Sequence, residues 1–100
     1  MKFLTLHSEA KFEVAEAVAY YERQSKGLGI RFLSEAERAM RLIQANPSLA
    51  QRYKNSDFRR YSLRKFPFLI FYSEMEDVTW IISVAHNSRK PNYWIKRRIE

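Results

Sequence analysis

The sequence has no cysteine, two glycines, three prolines and two histidines among its 100 residues. Without thiols there are no disulfides and no thiolate metal sites, which fits a reducing, bacterial-type cytoplasm. His7 and His86 stand apart, and neither sits in a His-Glu-x-x-His spacing or a cluster of carboxylates, so no metal is expected. Gly27 and Gly29 lack the third glycine of a dinucleotide fingerprint and the Gly-Lys-Ser/Thr of a phosphate loop, so no nucleotide cofactor is expected. No nucleophile elbow is present. No run approaches the roughly 18 apolar residues of a membrane span, and the N-terminus carries no signal-type apolar stretch, so no membrane partner is expected.

Bulky side chains are abundant. Hydrophobic residues make up 46% and aromatics 15% of the chain, too many for a disordered segment. The length suits a single domain spanning residues 1–100 with one core. Charge is unevenly placed. Residues 1–50 carry 7 basic and 6 acidic side chains, a net of +1, whereas residues 51–100 carry 11 and 5, a net of +6. That asymmetry favours an anionic partner, either nucleic acid or an acidic protein segment.

Periodicity changes halfway along. Lys2-Phe3-Leu4-Thr5-Leu6 reads as a short strand, and Ser8 as an N-cap with Glu9 in the first helical turn. Ala10, Val14, Ala17, Val18 and Tyr21 recur at helical spacing to about residue 24, where Lys26-Gly27-Leu28-Gly29 breaks the helix. Phe32, Ala36, Ala39 and Ile43 form a second stripe, which Asn46-Pro47 ends. Beyond that, residues 59–66 alternate, with Tyr61 and Leu63 on one side and Arg60, Ser62 and Arg64 on the other. Two apolar runs, residues 68–72 and 78–84, read as strands joined by the polar turn Glu74-Met75-Glu76-Asp77. Pro91 is placed to open a short terminal helix carrying Tyr93, Trp94, Arg97 and Arg98. The expected class is α+β: a strand, an antiparallel helix hairpin, a small mainly antiparallel sheet and a C-terminal helix or tail. Helices would cover one sheet face and leave the other free to bind.

The residues able to carry chemistry gather late in the chain. Guanidinium groups at Arg60, Arg64 and Arg89 suit phosphate, with Lys90, Lys96, Arg97 and Arg98 nearby. His86 and Tyr93 are the proton-transfer candidates for metal-free RNA cleavage. Against this, His86 shares strand parity with Trp80, Ile82 and Val84, which would point it towards apolar neighbours. Tyr93 and Trp94 are residue types that more often pack a terminal segment. Tyr20-Tyr21-Glu22 reads as helix surface and core.

An ordered set of motifs spans nearly the whole chain: Tyr20-Tyr21-Glu22, Gly27-Leu28-Gly29-x-x-Phe32, Ile43-x-x-Asn46-Pro47, Phe66-Pro67-Phe68-x-Ile70-x-Tyr72, and Val84-Ala85-His86-x-x-Arg89-x-Pro91-x-Tyr93-Trp94-x-x-Arg97. In this set the sequence resembles the RelE/ParE superfamily of type II toxin–antitoxin toxins, most of all its ParE-like, plasmid-stabilisation branch. The resemblance implies a bacterial growth inhibitor silenced by an acidic antitoxin, with operator DNA bound only through the toxin–antitoxin complex. RelE-like members cut mRNA on the ribosome. For that activity the resemblance carries over Arg60 and Arg64 as basic sheet positions and Tyr93 as the C-terminal tyrosine, with His86 and Arg89 as the accompanying catalytic candidates. Ser62, Leu69 and Asn87 stand where such nucleases usually carry a lysine, an arginine and an arginine. Each missing cation removes about 3 kcal/mol of transition-state stabilisation if it contacts the developing charge. ParE-like members poison DNA gyrase by protein contact, and the departures favour that reading. The candidates for binding nucleic acid or another target are Arg60, Arg64, Arg89, Lys90, Arg97 and Arg98. The alternatives are the ribosome-dependent endoribonuclease and a non-toxic homologue acting as a binding module.

Overall fold

Short polar punctuation divides the chain into seven elements over residues 2–97, the part described by this computed structural model. They are strand β1 (Phe3–Leu6), helices α1 (Ser8–Gln24) and α2 (Leu28–Ala45), a 3-10 turn (Pro47–Leu49), and strands β2 (Phe58–Ser62), β3 (Phe68–Glu74) and β4 (Val78–His86). The sheet runs β1-β4-β3-β2, antiparallel except for β1, which joins β4 in parallel. The fold is α+β, as the change of period implies. No helix among the described residues is long and apolar enough to cross a membrane.

The helix hairpin closes by direct backbone approach. A Cβ on Gly29 would lie 2.6 Å from the Val18 carbonyl oxygen, so only glycine lets α2 come this near α1. Gly27 holds φ at 88°, the left-handed conformation at the turn. α2 has no side-chain cap of its own. Glu22 of α1 supplies it, accepting the Gly27 and Gly29 N–H groups at 3.0 Å. At the start of α1 the cap is His7 rather than Ser8, because the His7 ring accepts the Glu9 N–H and Ser8 is already helical. The expected stripes both face the sheet. Phe32, Ala36, Ala39 and Ile43 are buried, and Tyr21 stacks on Phe32 and meets Phe66 edge-on.

Three features depart from the pattern read in sequence. β2 begins at Phe58 and ends at Ser62, so Arg64 lies beyond the strand, in a hairpin tip where Lys65 takes a positive φ of 67°. The segment from Pro91 to Lys96 winds as successive turns rather than a helix, and Asn92 has a left-handed φ of 65° that interrupts helical geometry. The sheet face away from the helices is not free. Phe71, Ile82, Ala85 and Trp94 form a second buried cluster there, with Tyr53, Phe58, Leu69 and Tyr93 packed against it. Trp94 lies 4.4 Å from Phe71 and 5.0 Å from Phe58, centroid to centroid, and the Tyr53 hydroxyl donates to Asn92 at 2.6 Å. The charge pattern of β2 had suggested an open basic face. Trp94, more than 20 positions further on, closes it.

Candidate functional site

β4 carries an irregularity that sets the site. Phe71 pairs with Ser83 but Tyr72 pairs with Ile81, leaving Ile82 as an extra residue. Alternation therefore reverses there: Ile81 and Val84 join the helix-side core, and Ile82 and Ala85 join the second cluster. Parity with Ile82 is thus no guide to His86. The His86 ring instead meets Phe68, its register partner, edge-on at 5.1 Å and remains half-buried.

β1 stops at Leu6, opposite Ile81, so the next stretch of β4 has β3 on one edge and no strand on the other. An ion pair fills the gap. Glu13 of α1 accepts the Val84 N–H at 2.9 Å, and Arg97 donates to the Ile82 carbonyl at 3.0 Å. The two side chains meet in a two-pronged pair of 2.9 and 3.0 Å, with 9% of Glu13 and 13% of Arg97 exposed. The Ser83 and Tyr93 hydroxyls also bond to the Glu13 carboxylate. Burial and the Glu13 carboxylate both raise the Tyr93 pKa. Burial pulls the Arg97 pKa down, but its contacts with Glu13 outweigh this and the net shift is upward.

Beside this knot, between α1 and the end of β4, lies an open groove of about 520 Å³ whose lining includes His86, Arg89, Tyr93, Tyr20 and Arg23. His86, Arg89 and Tyr93 therefore line one groove. The Arg89 guanidinium lies 4.0 Å from the centre of the Tyr93 ring, a cation–π platform that holds the charge at the groove. His86 Nδ1 accepts the Ser88 N–H at 3.0 Å, which leaves the neutral ring protonated on Nε2. Arg60 sits on the far sheet face, 5.9 Å from the Tyr53 ring, beside a smaller cavity of about 170 Å³ that His86, Arg89 and Lys90 also line. Arg64 is elsewhere, between α2 and the β2–β3 tip. Arg97 points into Glu13, and Arg98 lies outside the described residues. No group of three or more potential metal ligands occurs among the described residues.

Glu13 is the site residue that sequence reasoning passed over. A signal was there: it follows Ala10 by three positions and precedes Ala17 by four, which puts a carboxylate on the buried stripe of α1. A carboxylate at such a position needs a cationic partner.

The arrangement presents a fixed cation and aromatic surface. Tyr93 directs its proton to Glu13, and the Nδ1 lone pair of His86 is engaged by the Ser88 N–H.

Comparison with known proteins agrees with this geometry. Residues 4–91 match the family model described as the ParE toxin of the type II toxin–antitoxin system parDE. No curated protein matches significantly. Among solved structures, a chain titled as the chromosomal ParDE toxin–antitoxin system from P. aeruginosa superposes with a TM-score of 0.74 at 14% identity, covering 86% of this chain and 96% of that one. At that identity the likeness is one of fold. The family match spans most of the sequence, and the chain belongs to the ParE toxin family of type II toxin–antitoxin systems.

Proposed function

We propose that this protein inhibits bacterial growth by poisoning DNA gyrase through protein contact, and that a cognate acidic antitoxin neutralises it in the cytoplasm. One observation carries the choice of contact over catalysis: both proton-transfer candidates are engaged internally, Tyr93 with Glu13 and His86 with Ser88. The surface that remains is cationic and aromatic, with Arg89 held on the Tyr93 ring and Arg60 and Lys90 nearby. Such a surface suits docking on an acidic or phosphate-bearing partner. The basic half of the chain serves the same purpose, since its net charge of +6 accelerates encounter with an anionic partner. Operator DNA would be reached only through the antitoxin complex.

Expression without antitoxin tests the reading, with gyrase supercoiling, DNA cleavage complexes and transcript ends followed in parallel. The expected outcome is stalled growth, trapped gyrase–DNA cleavage complexes and intact mRNA. Ribosome-dependent mRNA cuts that disappear on His86→Ala would replace gyrase with RNA as the target. Normal growth on induction would identify a non-toxic homologue.

A further inference from the structure

The two outer edges of the sheet are finished differently among the described residues. Along β2, the segment that leads into it acts as a partial further strand. Gln51 accepts the Arg60 N–H at 3.1 Å, Tyr53 donates to the Phe58 carbonyl at 2.8 Å, and Arg52 bridges to Arg59. β1 has β4 on one side and no strand on the other. The Phe3 N–H donates to the Asp77 carbonyl at 3.3 Å and the His7 N–H to the Ile81 carbonyl at 2.9 Å, so the odd positions of β1 bond inward. Leu4 and Leu6 therefore turn their N–H and C=O groups outward, without a strand partner among the described residues. The outward Lys2 carbonyl is taken by the Gln44 amide at 3.0 Å.

Open edges in natural sheets carry devices that keep other chains away, such as proline, a bulge or a charge. Phe3-Leu4-Thr5-Leu6 has no proline and no charge, and it pairs with β4 without a bulge. The neighbouring Lys2 ammonium is held by Glu74 at 2.9 Å. Leu4 and Leu6 pack on the helix-side core, which sends Phe3 and Thr5 to the other face. There Phe3 is 79% exposed and lies outside the cluster that Trp94 closes. The edge is also self-complementary. Its outward residues, two positions apart, match an antiparallel copy of themselves: each Leu4 exchanges a pair of backbone hydrogen bonds with the partner's Leu6. That register centres on Thr5, opposite the partner's Thr5, and sets Phe3 against the partner's His7. Charge agrees with it. Glu76 and Asp77 flank Phe3, and the antiparallel register carries them towards the N-terminus of the partner's α1. The positive dipole end of that helix and the partner's Lys11, which is exposed, offset the repulsion between two basic chains.

We propose that the open edge of β1 is a self-association surface, on which a second copy of this chain adds its own β1 antiparallel and joins the two sheets into one. Four strand residues a side make a small contact, below the about 1,200–2,000 Å² of a stable complex. Association is therefore weak and reversible, with a dissociation constant on the order of 10–100 µM. The inference concerns the isolated chain and stands apart from the reading of its target.

Sedimentation equilibrium of the full chain from about 1 to 500 µM reads the association directly. Phe3→Lys should weaken it at least about tenfold, the contrast between a central contact and a remote one. Ile30→Lys makes the same change of charge beside the β2–β3 tip, away from this edge, and should stay within about twofold. Phe3 and Ile30 are 79% and 63% exposed, so both variants keep the fold, as circular dichroism and Tm would verify. A chain without cysteine allows a second measurement, of register. Thr5 and the partner's Thr5 form a non-hydrogen-bonded pair with Cα atoms about 4.5 Å apart, within reach of a disulfide. Under mild oxidation, Thr5→Cys should form a covalent dimer at least about tenfold faster than Ile30→Cys. A chain that stays monomeric throughout the concentration range would overturn the proposal and leave the edge to a different protein. Equal weakening by the two lysine variants would reduce the effect to net charge and overturn it too. Equal rates of cross-linking would place the contact elsewhere on the surface, with the same consequence.

Discussion

Replacing Glu13 with alanine perturbs several interactions of this molecule at once. The substitution strands Arg97, removes the acceptor of the Val84 N–H and frees the Ser83 and Tyr93 hydroxyls, all in one step. Breaking a buried ion pair from one side costs about 3–5 kcal/mol. Arg97 is 13% exposed and can turn partly to water, which lowers the figure, whereas Val84 is buried. An orphaned buried donor costs about 1–3 kcal/mol. Together these place Glu13→Ala at about 3 kcal/mol, or a Tm lowered by about 12–24 °C for a domain of this length. Glu13→Gln keeps an acceptor for Val84 and should lose only about 1–2 kcal/mol. A cycle of Glu13→Gln with Arg97→Met should return a coupling of about 1–3 kcal/mol. Urea denaturation measures the wild type and each of these variants. In a Trp80→Phe background the fluorescence of Trp94 reports whether residues 87–97 lift from the sheet before the core unfolds. A loss below about 1 kcal/mol in Glu13→Ala, with Trp94 still buried until global unfolding, would refute the role assigned to the pair.

Three further outcomes follow from local geometry. Arg38, through its hydrogen bonds, holds the Glu35 carboxyl below its ordinary range despite the opposing effect of burial, so this group stabilises the fold above about pH 4.3 and the contribution fades as pH falls through the depressed value; Glu35→Gln should flatten the acid limb of a plot of Tm against pH. Gly29→Ala raises helix propensity by about 1 kcal/mol, yet drives a methyl to 2.6 Å from the Val18 oxygen, so chemical denaturation should report a net loss of about 1–3 kcal/mol rather than a gain. The Thr79 hydroxyl is buried without a hydrogen-bond partner, and Thr79→Val should raise stability by about 1 kcal/mol in the same assay; a loss would mean that the hydroxyl is satisfied in solution.

Much of the fold is legible without coordinates because it depends on neighbours in sequence. The stripe of Phe32, Ala36, Ala39 and Ile43, the glycine turn and the break at Asn46-Pro47 are local signals, and each stands where its period or backbone preference puts it. The approach of His86, Arg89 and Tyr93 is legible for the same reason, since all three lie within one strand end and its connector. Other features have no local signature. The extra residue in β4 arises from pairing with β3, and it alone decides that Val84 faces the helices while Ile82 does not. Trp94 closes a sheet face that the charges of β2 leave open.

Sequence alone determined the α+β class, the helix hairpin, the basic second half and, through its ordered motifs, the family. Which of those basic residues are available was decided only by tertiary structure. Arg97 is drawn inward by a carboxylate 84 positions earlier, while Arg89 remains at a groove on a tyrosine ring. The physical reason is that charge belongs to composition, whereas pairing and burial belong to contacts. The contacts that matter here join α1 to β4 and the C-terminal segment across 70 to 84 residues of chain.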